Sequence, residues 1–402
     1  TKIGKIQDWD ANKFIKGEVD TYYIDDDSIS KENLKEYLDK SKFSVASNGV
    51  LYRTDTVGCI PGILDLWFQK RVEYKNEMKK YGKAGNKEKY AFFHKRQLVQ
   101  KILLNSLYGV LGLPAFRFYD VDNATAVTTT GQTVIKSTAD MANIKYNKEL
   151  GNPDLDSNIY IDTDSVFFSA VPLMDKRYPN WKDEEQDTIA GYVNLIAEEM
   201  QDYLNDFYDI LSKKVLNVDK DKHRLEIKKE YVAKAGLWIA KKRYAQWIIS
   251  DNGVPCDKLD VKGLDVKRSS FPKAFQEIMS DVLISILRGQ TETEITDKVL
   301  SFKKSMTSLD IKNIAKNSAV KNLTKYMPKK GKRQLFSIMK GTPAHVKAAI
   351  MYNDCLRHFN APFKFEPMRD GDKIKWVYLK NNPLGLDGIG FTGYSDPPEI
   401  NN

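Results

Sequence analysis

Tyr160-Ile161-Asp162-Thr163-Asp164-Ser165-Val166-Phe167-Phe168 is the stretch on which the reading of this chain turns. β-Branched and aromatic residues flank two acids, so Asn158 to Ser169 reads as a strand or hairpin. In an extended chain side chains alternate, which puts Asp162 and Asp164 on one face, roughly 6 to 7 Å apart at Cα, with Thr163 pointing away. Two carboxylates so placed can hold hard divalent cations and leave positions open to phosphate oxygens. A surface hairpin with two solvated acids is the competing reading, and the motif alone does not choose between them.

Upstream of this stretch lies a helical pattern. From Pro61 the residues Ile63, Leu64, Trp67, Phe68 and Val72 form an apolar stripe that fades near Met78. Gly82, Gly85 and Asn86 then punctuate the chain, and a second helical pattern runs from about Lys87 to Leu107. Two long helices joined by a short turn predict an antiparallel hairpin. At about 100° per residue, Lys101, Asn105 and Tyr108 share one narrow stripe of the second helix. Such a stripe suits a triphosphate held by Lys and a base pair facing an aromatic ring; a surface Lys beside a buried Tyr is the plainer alternative. On the first helix Arg71 and Lys75 are an i, i+4 pair, with Glu73 directed elsewhere, so two cations are available to an outside anion.

Downstream, residues 123 to 147 and 186 to 215 read as helices, and 224 to 233 and 238 to 250 as strands ending in the turn Asp251-Asn252-Gly253. In that strand context Lys242 and Tyr244 share a face, a charge for a phosphate backbone and a ring for sugar or base, while Arg243 faces away. From Pro272 the chain reads as mostly helical and basic until residues 363 to 379 regain strand character. Between 301 and 340 stand Lys303, Lys304, Lys312, Lys316, Lys321, Lys325, Lys329, Lys330, Lys332, Arg333 and Lys340 against one acid, Asp310. A stretch so dominated by one sign suits a phosphate-tracking surface. The run Asp25-Asp26-Asp27 reads as a solvated loop, not a metal site, since consecutive acids point in different directions.

The 402 residues are 42% apolar and 29% charged, the balance of a globular chain with material for two or three domains. No apolar window approaches a membrane span, and the first thirty residues lack a secretory h-region, so a cytoplasmic setting is expected. Cys59, Cys256 and Cys355 are too few and too scattered for a disulfide framework or a zinc site. A net charge of +9 points to a polyanionic partner.

Taken in order, these motifs resemble the family B DNA polymerases, most closely those of tailed bacteriophages. Lys101-x-x-x-Asn105-Ser106-x-Tyr108-Gly109 is similar to the family's nucleotide-binding fingers motif, and Phe68-Gln69-Lys70-Arg71-x-Glu73-x-Lys75 to the opposite finger helix. Tyr160-x-Asp162-Thr163-Asp164-Ser165 resembles the palm motif carrying catalytic carboxylates, and Lys242-x-Tyr244 the motif that grips primer-template duplex. Ser269-Ser270-x-Pro272-Lys273 resembles the junction into the thumb. The resemblance implies an α+β right-hand fold: an antiparallel-sheet palm (remnant at 1–60, then 113–267), helical-hairpin fingers (61–112) and a mostly helical, incomplete thumb (268–402).

It also implies nucleotidyl transfer from a deoxynucleoside triphosphate to a primer 3′-hydroxyl, with two Mg²⁺ ions, or Mn²⁺ in their place. Asp162 and Asp164 would be catalytic and metal-binding, with Glu230 as a further acid near the site. Arg71, Lys75, Lys101, Asn105 and Tyr108 would bind nucleotide, and Gly109, Lys242, Tyr244 and Lys273 would bind DNA. Partners would be primer-template DNA, dNTP, a sliding clamp and a separate amino-terminal polymerase chain, with no membrane. The family's Asp-x-x-Ser-Leu-Tyr-Pro motif does not occur in these 402 residues, and Ile161 stands where Gly is frequent. The pure chain is therefore expected to be inactive or nearly so; the competing readings are a split-polymerase subunit and a catalytically silent DNA-binding module.

Overall fold

Strands and short helices alternate over the first 53 residues, and Ile6, Tyr22, Leu34, Leu38, Val45 and Leu51 converge on one core. The structure, a computed structural model, describes residues 2–24, 27–327, 334–360 and 365–392. Asp25 and Asp26 of the acidic run, and Lys329, Lys330, Lys332 and Arg333 of the basic stretch, lie outside the described residues. Two units are distinguished, Thr1–Lys229 and Glu230–Asn402.

The first unit opens with β1 (Lys2–Gln7), α1 (Ala11–Lys16), β2 (Thr21–Ile24), β3 (Asp27–Ser30), α2 (Lys31–Ser41), β4 (Phe43–Val45) and β5 (Val50–Arg53). Their sheet has the order β3-β2-β1-β5-β4 and is antiparallel throughout. The predicted helical hairpin follows as α3 (Cys59–Lys83) and α4 (Lys87–Leu111). The first helix runs five residues past the point where its apolar stripe fades, through Lys79 and Lys80, which favour helix without needing burial. The Asn86 side chain accepts the Lys89 N–H and caps the second helix. Across the pair, Phe93 stacks on Tyr81 at 5.6 Å and meets Tyr74 at 6.3 Å.

Next comes α5 (Val121–Leu150), capped by Asp120, whose carboxylate accepts the Asn123 N–H. Lys2 reaches both Asp120 (3.1 Å) and Asp122 (2.9 Å), and Lys5 reaches Asp122, so β1 is clasped to the start of this helix. The two lysine hydrogen bonds hold the Asp122 carboxyl below the usual range. β6 (Asn158–Asp162), β7 (Ser165–Phe168), α6 (Val171–Arg177) and α7 (Gln186–Leu211) complete the ordered elements, with Tyr146, Leu173, Met174, Ile196, Met200 and Leu204 buried among them. The strand expected at 224 to 233 does not start until Tyr231. Before it, backbone groups are taken by side chains of α7: Asn205 brackets Ile227 with bonds of 2.9 and 3.1 Å, and Gln201 accepts the Lys229 N–H.

The second unit begins with an antiparallel sheet of β8 (Tyr231–Ala240), β9 (Arg243–Asp251) and β10 (Val254–Lys262), with β9 in the middle. The expected single strand over 238 to 250 is broken by a turn at Lys241-Lys242, where Lys242 takes φ +61°. Two helices follow, α8 (Lys273–Leu287) and α9 (Glu292–Ser305), the latter opened by a Thr291–Glu294 capping box. The helical run expected from Pro272 is interrupted in its middle. Between Ser305 and Ala344 the described residues hold one four-residue α-helix, α10 (Ile311–Ile314), and a strand, β11 (Lys316–Ala319). β11 pairs with β12 (Lys373–Tyr378), and β12 with β13 (Gly388–Phe391). α11 (Ala344–His358) covers this second sheet, burying Ala349, Ile350 and Tyr352 with Ile374, Trp376 and Ile389. The architecture is thus mixed, antiparallel sheets with helices, in both units.

Two glycines with similar backbone angles separate conformational cost from packing cost. Gly263 (φ +64°) lies so close to the Lys242 carbonyl that a Cβ would sit 2.0 Å from its oxygen, whereas one on Gly253 (φ +79°) would meet nothing within 4 Å. Gly253→Ala is expected to lose about 1 kcal/mol, the left-handed penalty alone. Gly263→Ala should lose about 2 kcal/mol more, because backbone must move. Urea denaturation of the two variants checks the difference; equal losses would mean the β8–β9 turn yields freely.

Candidate functional site

The two acids of the decisive stretch are not in one extended strand. Asp162 ends β6, Thr163 and Asp164 make the turn, and Ser165, paired across from Asp162, begins β7. Within the turn the Asp164 N–H donates to the Asp162 carbonyl at 2.6 Å, an i to i+2 closure. Thr163 is forced to φ +57°. A β-branched residue is a genuine outlier there, and such strain persists only where surroundings impose it. Thr163 Oγ1 donates to Asp162 Oδ1 at 3.1 Å, and Ser165 Oγ to the Asp162 carbonyl at 3.1 Å. Asp162 is half-buried and Asp164 exposed.

The surroundings are visible in α5. Asn143 uses both ends of its amide, donating to Asp156 at 2.9 Å and accepting the Ser157 N–H at 3.0 Å. Asn158 donates to the Ala139 carbonyl at 3.0 Å, and Phe168 meets the buried Tyr146 ring edge-on at 5.5 Å. Both strands of the hairpin are therefore fastened to one helix, and the turn is presented outward. Asp162 and Asp164 offer oxygen donors suited in kind to a hard cation. Among the described residues no group of three or more His, Cys, Asp or Glu gathers into a cation site.

On the helical hairpin, Lys101, Asn105 and Tyr108 are all exposed on α4, the Tyr108 ring at 36%. The plainer alternative of a buried tyrosine does not hold. No acid pairs with Lys101 among the described residues. Glu73 is taken by Lys70 at 3.2 Å, as its direction away from Arg71 suggested. Arg71 is half-buried, and its Nε is buried without a hydrogen-bond partner among the described residues. The Tyr74–Phe93 and Arg96–Tyr74 contacts fix the helix register, which sets Arg71 level with Val99 and roughly 3 Å along the axis from Lys101. Lys75 lies one turn further out on the same helix. Gly109, in the last turn of α4, has open space where a Cβ would stand.

The remaining expected site residues lie in the second unit. Lys242 occupies the second position of the β8–β9 turn, not a strand, and Tyr244 is only 4% exposed. Both departures share a cause. A two-residue turn interrupts the alternation, and Tyr244, paired opposite Trp238, is buried rather than joining Lys242 on an open face. No Gly or Asn marks this turn, so nothing in the sequence signalled it. Lys273 is the first residue of α8 and reaches Glu277 at 3.7 Å. Glu230 is exposed immediately before β8, its carbonyl accepting the Asn252 N–H. Of the basic stretch, Lys316 sits over Trp376 and Tyr378 at 5.4 and 5.6 Å, and Lys325 over Tyr326.

If Thr163 is held against its preference, relieving it should stabilise the hairpin. Thr163→Gly is expected to raise stability by up to about 1 kcal/mol, seen as a higher Tm. A lower Tm would show that the hydroxyl bond to Asp162 outweighs the strain.

Residues 21–177 and 199–383 match the family model described as DNA polymerase family B. Similar proteins include the DNA-directed DNA polymerase of Enterobacteria phage T4, 28% identical over 76% of this chain and 34% of the phage protein. That of Escherichia phage RB69 is 27% identical over 72% and 32%, and the DNA polymerase of Thermococcus gorgonarius 27% over 70% and 31%. The chain spans about a third of the length of these relatives. Since the family match covers most of its residues, carbonyl-closed acid turn and helical hairpin included, this chain belongs to DNA polymerase family B.

Proposed function

We propose that the chain carries part of the machinery for template-directed DNA synthesis, transferring a nucleotidyl group from dNTP to a primer 3′-hydroxyl. The observation that supports this best is the cationic level of the helical hairpin. Lys101 stands without an acid among the described residues, on the exposed stripe it shares with Asn105 and Tyr108, and roughly 3 Å along the hairpin axis from the level of Arg71, whose Nε has no hydrogen-bond partner among them. Cations left unneutralised within a turn of one another suit a polyphosphate.

In this reading the primer oxygen forms a bond to the α-phosphorus as the bond to the pyrophosphate oxygen breaks. Arg71, Lys75 and Lys101 bind the β- and γ-phosphates and meet the charge that grows there as the bond breaks. Asn105 and Tyr108 line the nascent pair, and Gly109 lets a base approach the helix backbone. Asp162 and Asp164 would hold two Mg²⁺ ions, or Mn²⁺, which when bound lower the hydroxyl pKa and neutralise leaving charge; Asp164, exposed at the turn, is the stronger candidate for the shared position. Glu230 would be an accessory acid. Lys242 and Lys273 would contact the duplex backbone, with Tyr244 supporting the turn from below. Residues 61–112 would act as fingers, 1–60 and 113–267 as palm, and 268–402 as thumb.

The test is titration of dNTP and Mg²⁺ into the chain bound to primer-template. Metal-dependent dNTP binding is expected. Lys101→Ala should weaken it about 10- to 100-fold, the worth of a charge-assisted contact. Asp164→Asn should abolish the metal dependence while leaving duplex affinity within about twofold, its turn being exposed. Salt-sensitive duplex binding indifferent to metal and nucleotide would instead make the chain a silent DNA-binding module.

A further inference from the structure

The seam between the two helices of the hairpin carries polar side chains among its apolar ones. On α4 the buried or half-buried Phe93, Gln97, Gln100 and Leu104 follow spacings of four, three and four, and on α3 the half-buried Trp67, Arg71 and Tyr74 follow four and three. Such spacing marks the line along which two helices face each other. The Phe93 contacts with Tyr74 and Tyr81 lie on that line. Arg71 and Gln100 therefore both belong to the face turned towards the opposite helix. The register that brings Arg96 over the Tyr74 ring at 5.8 Å sets Gln100 one residue from the level of Arg71, about 1.5 Å along the axis.

At that level two complementary atoms are buried and unused. Arg71 Nε, a donor, and Gln100 Oε1, an acceptor, form no hydrogen bond to any group among the described residues. Leaving both dry is unfavourable, and each supplies what the other lacks. The consequence of joining them is directional. A guanidinium grips phosphate as a planar fork through its terminal nitrogens. An acceptor on Nε holds that fork from behind, whereas an apolar neighbour would pack against it and leave it free to turn.

We propose that Gln100 is a positioning residue for Arg71. Its Oε1 accepts the Arg71 Nε–H when polyphosphate occupies the hairpin, and the terminal nitrogens are thereby aimed at the phosphates. The inference rests on the nucleotide-binding reading given above and adds to it a residue that acts only through another. It also accounts for a glutamine at a seam position where an apolar side chain would leave no acceptor unused.

The test measures Tm, and dNTP affinity in the presence of Mg²⁺ and primer-template, for the full chain and its variants. Gln100→Leu is expected to weaken dNTP binding about 3- to 10-fold, as for one buried hydrogen bond, while Tm stays level or rises because an unused buried acceptor has gone. A glutamine with a merely structural role would lower Tm instead. In an Arg71→Lys background, which lacks the Nε–H, Gln100→Leu should have no further effect. Gln97→Leu, one turn along the same seam, should leave affinity within about twofold. An equal loss from Gln97→Leu overturns the inference, as do additive losses from Arg71→Lys and Gln100→Leu, or a loss accompanied by a lower Tm. Gln100→Met, of similar length, serves where Gln100→Leu fails to fold. If the unaltered chain binds no dNTP, the nucleotide-binding reading fails and this inference with it; dNTP binding that is present but indifferent to Gln100→Leu defeats the inference alone.

Discussion

A threonine held at φ +57° between two aspartates is the constraint around which the first unit is arranged. Left to itself that backbone would relax towards an ordinary turn, so neighbours must fix both strands of its hairpin. Helix α5 does this with Asn143 and Asn158 bonds on one side and the Tyr146–Phe168 contact on the other. The helix is fixed in turn by its cap at Asp120, by the lysines of β1 and by the buried contacts of α6 and α7. Arg177 extends this scaffold, bridging Glu149 at the end of α5 and Glu199 on α7 at 2.6 and 2.8 Å. A half-buried carboxylate and an exposed one can thus keep a defined relation, because the strain is stored in one residue and borne by a thirty-residue helix.

Much of this was legible in the sequence, and the boundary of legibility is physical. Long helices announced themselves, since Ile63, Leu64, Trp67 and Val72 repeat at helical spacing and Asn86 marks a start. The hairpin at 158 to 169 was recognisable from its β-branched and aromatic residues, but its turn was not. Thr163-Asp164 and Lys241-Lys242 contain neither Gly nor Asn, and Asp164 alone among them favours turns, so alternation was carried straight through both. At the acids the consequence was modest. At Tyr244 the ring expected on a face shared with Lys242 is buried. The strand expected from Arg224 failed for another reason: side chains of α7, distant in sequence, satisfy that backbone, and no local pattern reports such partners.

Charge was read more reliably in total than in place. A surplus of +9 pointed to a polyanion, and the unneutralised Lys101 accords with it. Yet Lys2, Lys5 and Lys213 are spent on internal carboxylates, and Lys316 lies over two aromatic rings. Counting cations overstates the surface available for phosphate, because long basic side chains also serve as struts and covers for apolar rings.

The clasp of Lys2 onto Asp120 joins residues 118 positions apart, which bears on the order in which the unit assembles. Closing so long a loop is slow, since chain entropy is surrendered before the contact repays it. The helical hairpin sits inside that loop and is bound almost wholly by neighbours in sequence, so it can form first. Its antiparallel register sets Cys59 level with Leu111, and once it has formed the fifty or so residues between them no longer count towards the loop. An insertion that looks like an elaboration of the fold therefore acts during folding as a shortcut, bringing the opening strand within reach of the helix that anchors it.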